Sequence, residues 1–149
     1  MLNTMQWTVT SLEDTAAVAQ EVLSLLTAGS QARVIALHGD LGTGKTAFVQ
    51  QLAALLGVRE SVTSPTFVIM KTYPLEQQTF VELVHIDAYR IETPAEMQPL
   101  KLEQLLAEPR TLVCIEWAER ITELLPEDAV HLTFTINGEQ RIIMHTDHG

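Results

Sequence analysis

Val34-Ile35-Ala36-Leu37-His38-Gly39-Asp40-Leu41-Gly42-Thr43-Gly44-Lys45-Thr46 is an apolar run that breaks into the pattern G-x-x-x-x-G-K-[ST]. A strand ending at His38 delivers such a loop, and glycine at Gly42 and Gly44 admits backbone angles that turn successive N–H groups inward around phosphate oxygens. Lys45 adds a point charge toward the β- and γ-phosphates, and the Thr46 hydroxyl stands where Mg²⁺ is ligated. Phe48, Leu52, Leu55 and Leu56 follow at helical spacing and Gly57 is a stop signal. This predicts a helix from Lys45 to Leu56 whose N-terminus faces the phosphates. Asp40, Leu41, Gly42, Thr43, Gly44, Lys45 and Thr46 are therefore the expected nucleotide-binding stretch of a P-loop.

A length of 149 residues suits one domain, expected over 1–149, which buries about two-thirds of its unfolded surface. The chain carries 19 Asp and Glu against 9 Lys and Arg, a net charge of −10, and the basic residues are scattered. That balance argues against a surface that neutralises nucleic-acid phosphates, so no DNA is expected and any contact with RNA is indirect. The first basic residue is Arg33, unlike the charged start of a signal peptide, and no apolar run approaches the roughly 18 residues of a membrane span. A soluble, cytoplasmic protein with no membrane attachment is the expectation. Cys114 lies inside the apolar run Leu112 to Ile115 and reads as a packed core thiol.

Gln6 to Thr10 alternates like a short strand, and Ser11 and Asp14 form an N-cap pattern before the amphipathic stretch Ala16 to Leu26, a helix expected to end near Gly29. Thr66 to Tyr73, preceded by Ser64-Pro65, and Phe80 to Ile86 read as strands, and the short loop Pro74 to Thr79 suits antiparallel pairing. Pro94 opens a helical segment through Leu106 that Pro109 closes, and Thr111 to Ile115 is a strand buried on both faces. Ala129 to Ile136 and Glu139 to Thr146 flank Asn137-Gly138, a type I′ hairpin signal. The fold class expected is α/β: a P-loop NTPase domain with a central parallel sheet flanked by antiparallel strands and helices.

A nucleotidase also needs a carboxylate beside Mg²⁺ and a group that positions water. Glu116 directly follows Leu112-Val113-Cys114-Ile115, a Walker B layout with Glu for Asp, and Asp87 follows Leu83-Val84-His85-Ile86. Ligands of open α/β sheets gather beyond the carboxyl ends of parallel strands, so both acids can converge on one metal.

In this order the chain shows Gly39 to Thr46, Ser64-Pro65-Thr66-Phe67, His85-Ile86-Asp87-Ala88-Tyr89-Arg90 and Glu116-Trp117. With these motifs it resembles the bacterial TsaE family, also called YjeE, small ATPases of tRNA threonylcarbamoyladenosine biosynthesis. The resemblance spans nearly the whole chain. It implies ATP and Mg²⁺ as cofactors, slow ATP hydrolysis, and TsaD and TsaB as protein partners in the modification of ANN-decoding tRNAs, with tRNA met only through that complex. It implies that Thr46 and Glu116 hold Mg²⁺, that Lys45, Asp87 and Glu116 are catalytic, and that Thr15 approaches the adenine. It also marks Ser64, Thr66, Asp87 and Trp117 as switch-like. Beside these stand structural readings: a strand-entry turn at Pro65, Trp117 as a core anchor, Thr15 as a first-turn helix residue, and His85 as a packed or hydrogen-bonded strand residue. Tyr89 and Arg90 read as local partners of acids, with an arginine-finger role open for Arg90. The chain departs from the family pattern at Ala47, where a second threonine is common, and at Lys101, where glycine is common.

Two other functions fit a P-loop. A small-molecule phosphotransferase closes a lid that brings several arginines to the transferred phosphate, and Arg90, Arg110 and Arg120 give no such pair at helical spacing. A nucleotide-sensing adaptor with incidental turnover is the other. No N-K-x-D or D-x-x-G run occurs to support a GTPase.

Overall fold

In the computed structural model, which describes residues 5–63, 69–76 and 79–146, the chain runs through β1 (Met5–Val9), α1 (Leu12–Ser24), β2 (Arg33–His38), α2 (Lys45–Leu55), β3 (Met70–Pro74) and β4 (Glu82–Asp87). A 3-10 turn at Pro94–Leu100, α3 (Leu102–Leu106), β5 (Thr111–Glu116), two further 3-10 turns, β6 (Val130–Asn137) and β7 (Gln140–Thr146) complete it. All 7 strands join one sheet in the order β1-β7-β6-β2-β5-β4-β3. The four central strands, β6, β2, β5 and β4, are parallel, while β3 and β7 run antiparallel to their neighbours and β1 antiparallel to β7. The expected mixed sheet with a parallel centre is what forms.

Period-two alternation explains why the inner stretches of β2 and β5 are apolar throughout. Ile35 and Leu37 of β2, with Leu112 and Cys114 of β5, face a core closed by Val18 and Val22 of α1 and Phe48 and Leu52 of α2. Val34 and Ala36, with Val113 and Ile115, face a second core with Met97, Leu102 and Ile121. Both faces are covered, so no polar position is tolerated between them. Cys114 is fully buried in the first core, where desolvation pushes its thiol pKa far up, as expected of a packing thiol.

α1 starts where its sequence says. Ser11 is extended, its Oγ accepts from Asp14 N at 3.1 Å, and the Asp14 carboxylate accepts from Thr10 N at 3.0 Å. That backbone bond, with the Thr10 hydroxyl, holds Asp14 below the usual carboxylate range. The helix stops at Ser24, short of Gly29.

Three sequence expectations are corrected. The strand placed at Thr66 to Tyr73 begins at Met70, because Ile69 takes φ 66° and cannot continue an extended ladder; Ser64 to Val68 lie outside the described residues. The single helix expected from Pro94 to Leu106 is broken into the 3-10 turn and α3 at Lys101, with φ 53°; Pro99 inside the turn cannot donate to an α-helical ladder. The hairpin forms, but Asn137 pairs with Gln140, so the turn residues are Gly138 and Glu139, and only Gly138 has positive φ, at 65°. That is the pattern of a II′ turn, with glycine first, in place of I′.

Lys101 occupies the left-handed region that glycine enters without strain. Replacing it should relieve about 1–2 kcal/mol of steric cost and surrender about 0.5–1 kcal/mol of unfolded-chain entropy. Lys101→Gly is therefore expected to raise stability by about 0.5–1 kcal/mol, read from the urea midpoint, and Lys101→Val to lower it.

Candidate functional site

β2, β4 and β5 end together. Leu37 is in register with Glu116, and Asp87 with Glu116, so the glycine loop after β2 and both strand-end acids emerge at one edge of the sheet. They border a cleft of about 650 Å³ whose walls include Lys45, Thr46, Asp87, Glu116 and Trp117. Its other end is the β1–α1 junction, Val9 to Leu12 with Thr15, and Arg141 of β7 also lines it.

The loop is held from several sides. Gly39 has φ 139°, and a Cβ there would stand 2.5 Å from the Phe134 carbonyl oxygen, which belongs to β6 and cannot retreat without breaking its ladder. Gly39→Ala is expected to cost about 2–4 kcal/mol of stability from the combined backbone strain and overpacking; a denaturation curve equal to that of the parent chain would contradict this. The Thr43 hydroxyl donates to the Asp40 carbonyl at 2.7 Å, and the Arg141 Nη2 donates to the Gly42 carbonyl at 3.1 Å. α2 starts at Lys45 behind Gly44, φ 108°, with no side-chain cap, so the positive end of the helix faces the loop.

Lys45 is buried. Its ammonium donates to the carbonyls of Gly39 and Asp40 and lies 3.8 Å from the centroid of the Trp117 ring. Burial pushes its pKa down, opposed by Glu119, Glu116, Asp87 and Asp40. Trp117 reaches this position because it leaves β5 with φ 59°, a left-handed turn unusual for a bulky residue. Tyr89 packs against it with ring centroids 5.1 Å apart. The half-buried indole lies over Lys45 at the cleft and also packs against the second core, as a core anchor does.

Glu116 is buried and fixed at both oxygens. Oε1 accepts from the Thr46 hydroxyl at 2.9 Å, and Oε2 is 2.6 Å from His85 Nε2. His85 is itself fully buried, and its Nδ1 has no hydrogen-bond partner. Nε2–H is then the donor, and Nδ1 the unprotonated nitrogen, since a proton there would be a buried donor without an acceptor. Asp87 Oδ1 accepts from Tyr89 N at 2.9 Å, which turns the carboxylate toward the cleft wall. Behind the loop, His38 Nε2 meets His131 Nδ1 at 2.9 Å and its Nδ1 lies 3.8 Å from Glu119. Burial lowers the His38 pKa, with Glu119 opposing.

Of the residues expected from sequence, Thr15, Leu41, Gly42, Gly44, Lys45, Thr46, Asp87, Glu116 and Trp117 border the cleft. Asp40 and Thr43 act behind it, through the carbonyl and hydroxyl that tie the loop, and Arg90 is exposed and outside the lining. Ser64 and Thr66 fall among residues that are not described. Thr15 is buried and its hydroxyl donates to the Ser11 carbonyl at 3.2 Å, so it is both a helix residue and a cleft residue. Sequence reading missed two contributions: His85 as the partner of Glu116, and Arg141. The spacing of His85 and Asp87 puts them on one face of β4, which was legible; the pairing with Glu116 depends on strand register.

Comparison with known proteins places the chain in a family. A family model described as threonylcarbamoyl adenosine biosynthesis protein TsaE matches residues 9–143. The tRNA threonylcarbamoyladenosine biosynthesis protein TsaE of Bacillus subtilis is 33% identical over 135 residues, 91% of this chain and 80% of that protein. Its namesake from Treponema pallidum is 36% identical over 127 residues, 85% of this chain and 87% of that protein. The crystal structure of Bacillus subtilis YdiB superposes with a TM-score of 0.77 at 28% identity, covering 100% of this chain and 88% of the other. With a family match over nearly its full length and relatives aligned across most of theirs, the chain belongs to the TsaE family of tRNA threonylcarbamoyladenosine biosynthesis.

Proposed function

We propose that the chain is a Mg²⁺-dependent P-loop ATPase that hydrolyses ATP slowly and serves TsaB and TsaD partners in threonylcarbamoyladenosine modification of ANN-decoding tRNAs. The observation that carries the reading is the Thr46 hydroxyl 2.9 Å from the Glu116 carboxylate, in the cleft that also holds Lys45 and Asp87. The donor set suits Mg²⁺. It offers hard oxygen ligands, the Glu116 carboxylate and the Thr46 hydroxyl, which would hold the ion together with substrate phosphates. When bound, Mg²⁺ neutralises charge developing between the β- and γ-phosphates.

The chain's own groups supply the rest. The loop N–H groups and Lys45 bind the phosphates; to do so Lys45 leaves the carbonyls of Gly39 and Asp40. Thr15 and the β1–α1 junction take the base. Asp87 orients water for attack on the γ-phosphorus: the new P–O bond forms as the bond to the β–γ bridging oxygen breaks, ADP leaves with that electron pair, and the water's proton passes to an oxygen of the released phosphate. Glu116, held by His85, keeps Thr46 in place. The net charge of −10 suits docking on a protein assembly over direct contact with tRNA. No helix among the described residues is long and apolar enough to cross a membrane, and the reaction belongs in the cytoplasm with its tRNA.

The test is tRNA modification by purified TsaB, TsaD and threonylcarbamoyl donor over many turnovers, with and without this chain and ATP. Sustained modification only when both are present supports the proposal; turnover indifferent to either one refutes it.

A further inference from the structure

We infer that Arg141 is a nucleotide-binding residue, which grips the phosphates from the β7 side between the glycine loop and the β1–α1 junction. The inference rests on the ATP reading above and deepens it. Arg141 and Lys45 are the basic residues that border the cleft. They come from different elements of the fold. Lys45 opens α2, whereas Arg141 stands on β7, paired across the ladder with Val9, whose successors Thr10 and Ser11 form the far wall of the same cleft. Arg141 is thus tied by its backbone to the strand that leads into the β1–α1 junction and by its guanidinium to the loop at Gly42.

Its present partner is weak for an arginine. Nη2 donates to the Gly42 carbonyl at 3.1 Å, and a Cβ at Gly44 would meet its Cδ at 3.4 Å, so the side chain lies along the loop. Of five guanidinium N–H donors, one is engaged by a neutral carbonyl. The chain holds 19 carboxylates, yet the ion pairs among the described residues involve Arg33, His38 and His85 and none includes Arg141. An arginine kept for structure in so acidic a chain would be expected against one of those acids. A guanidinium aimed at a cleft, on a neutral acceptor it can exchange, is matched instead to a phosphate fork.

Because the grip is on phosphates common to both nucleotides, it acts on binding and not on the transfer step. The experiment measures ATP and ADP affinity, with Mg²⁺, by calorimetry on the full chain and on Arg141→Gln and Arg141→Lys, each first shown to unfold cooperatively in urea without nucleotide. Arg141→Gln is expected to weaken ATP and ADP alike by about tenfold and to make affinity less sensitive to salt. Arg141→Lys should fall between. On the unmutated chain, ATP and ADP should each protect Arg141 from phenylglyoxal, mapped by mass spectrometry. Unchanged affinity, a loss confined to ATP, an unchanged salt dependence, or no protection would overturn the inference while the ATP reading stands. Absence of ATP binding by the unmutated chain would instead remove the reading beneath it.

Discussion

Lys45→Ala is expected to abolish ATP hydrolysis, lowering kcat/KM by a factor of about a thousand or more while the chain stays folded. Removing a single preorganised donor to developing charge typically costs 10²- to 10³-fold, and among the described residues Lys45 is the lysine that borders the cleft. Folding survives because the ammonium is buried against carbonyls and an indole face without a paired carboxylate. Burial already disfavours its charge, so deleting the side chain also deletes that penalty. The measurement is phosphate release under excess ATP, with a urea titration of the same sample. Near-normal hydrolysis by a folded Lys45→Ala protein would take the loop out of the mechanism.

The second large effect separates the two acids. Glu116→Gln should weaken Mg²⁺-dependent nucleotide binding on the order of a hundredfold, because the side chain that meets Thr46 loses its charge. Glutamine is the better variant than alanine: it leaves an acceptor near His85, whose Nε2 would otherwise be buried with no partner beside an already unpaired Nδ1. Asp87→Asn should keep ATP bound and slow single-turnover hydrolysis by about 10²-fold or more, while an amide oxygen still accepts from Tyr89 N. The opposite pattern, binding lost at Asp87 and rate lost at Glu116, would exchange their roles.

The parts of this site that were legible are those written locally. Gly39 to Thr46, the apolar strand before it and the helical spacing after it each follow from a few adjacent residues, and β2, the loop and α2 appear within a residue of expectation. Strand-end acids were legible too, because a parallel strand buried on both faces has room for Glu116 only at its end. What was illegible depends on distant neighbours. Trp117 lies over Lys45 because of one left-handed backbone angle, His85 meets Glu116 because β4 and β5 align in one register, and nothing around Arg141 in sequence announces Gly42. At Lys101 and Gly138 the error was of conformation: the sequence suggested a continuous helix and an I′ turn, while Pro99 and strand register imposed a break and a shifted turn.

The order of the sheet also sets when the site can exist during synthesis. β1 has one strand neighbour, β7, and its last residue, Val9, pairs with Arg141. At ribosomal rates of about 5–20 residues per second, the roughly 130 residues between them take on the order of ten seconds to emerge. Throughout that interval β1 has no ladder to join and the β1–α1 wall of the cleft has no anchor, and for most of it β2 and the glycine loop have already emerged. A nascent chain halted before β7 would carry the loop without the completed cleft, and its strand edge would be open to any extended segment nearby.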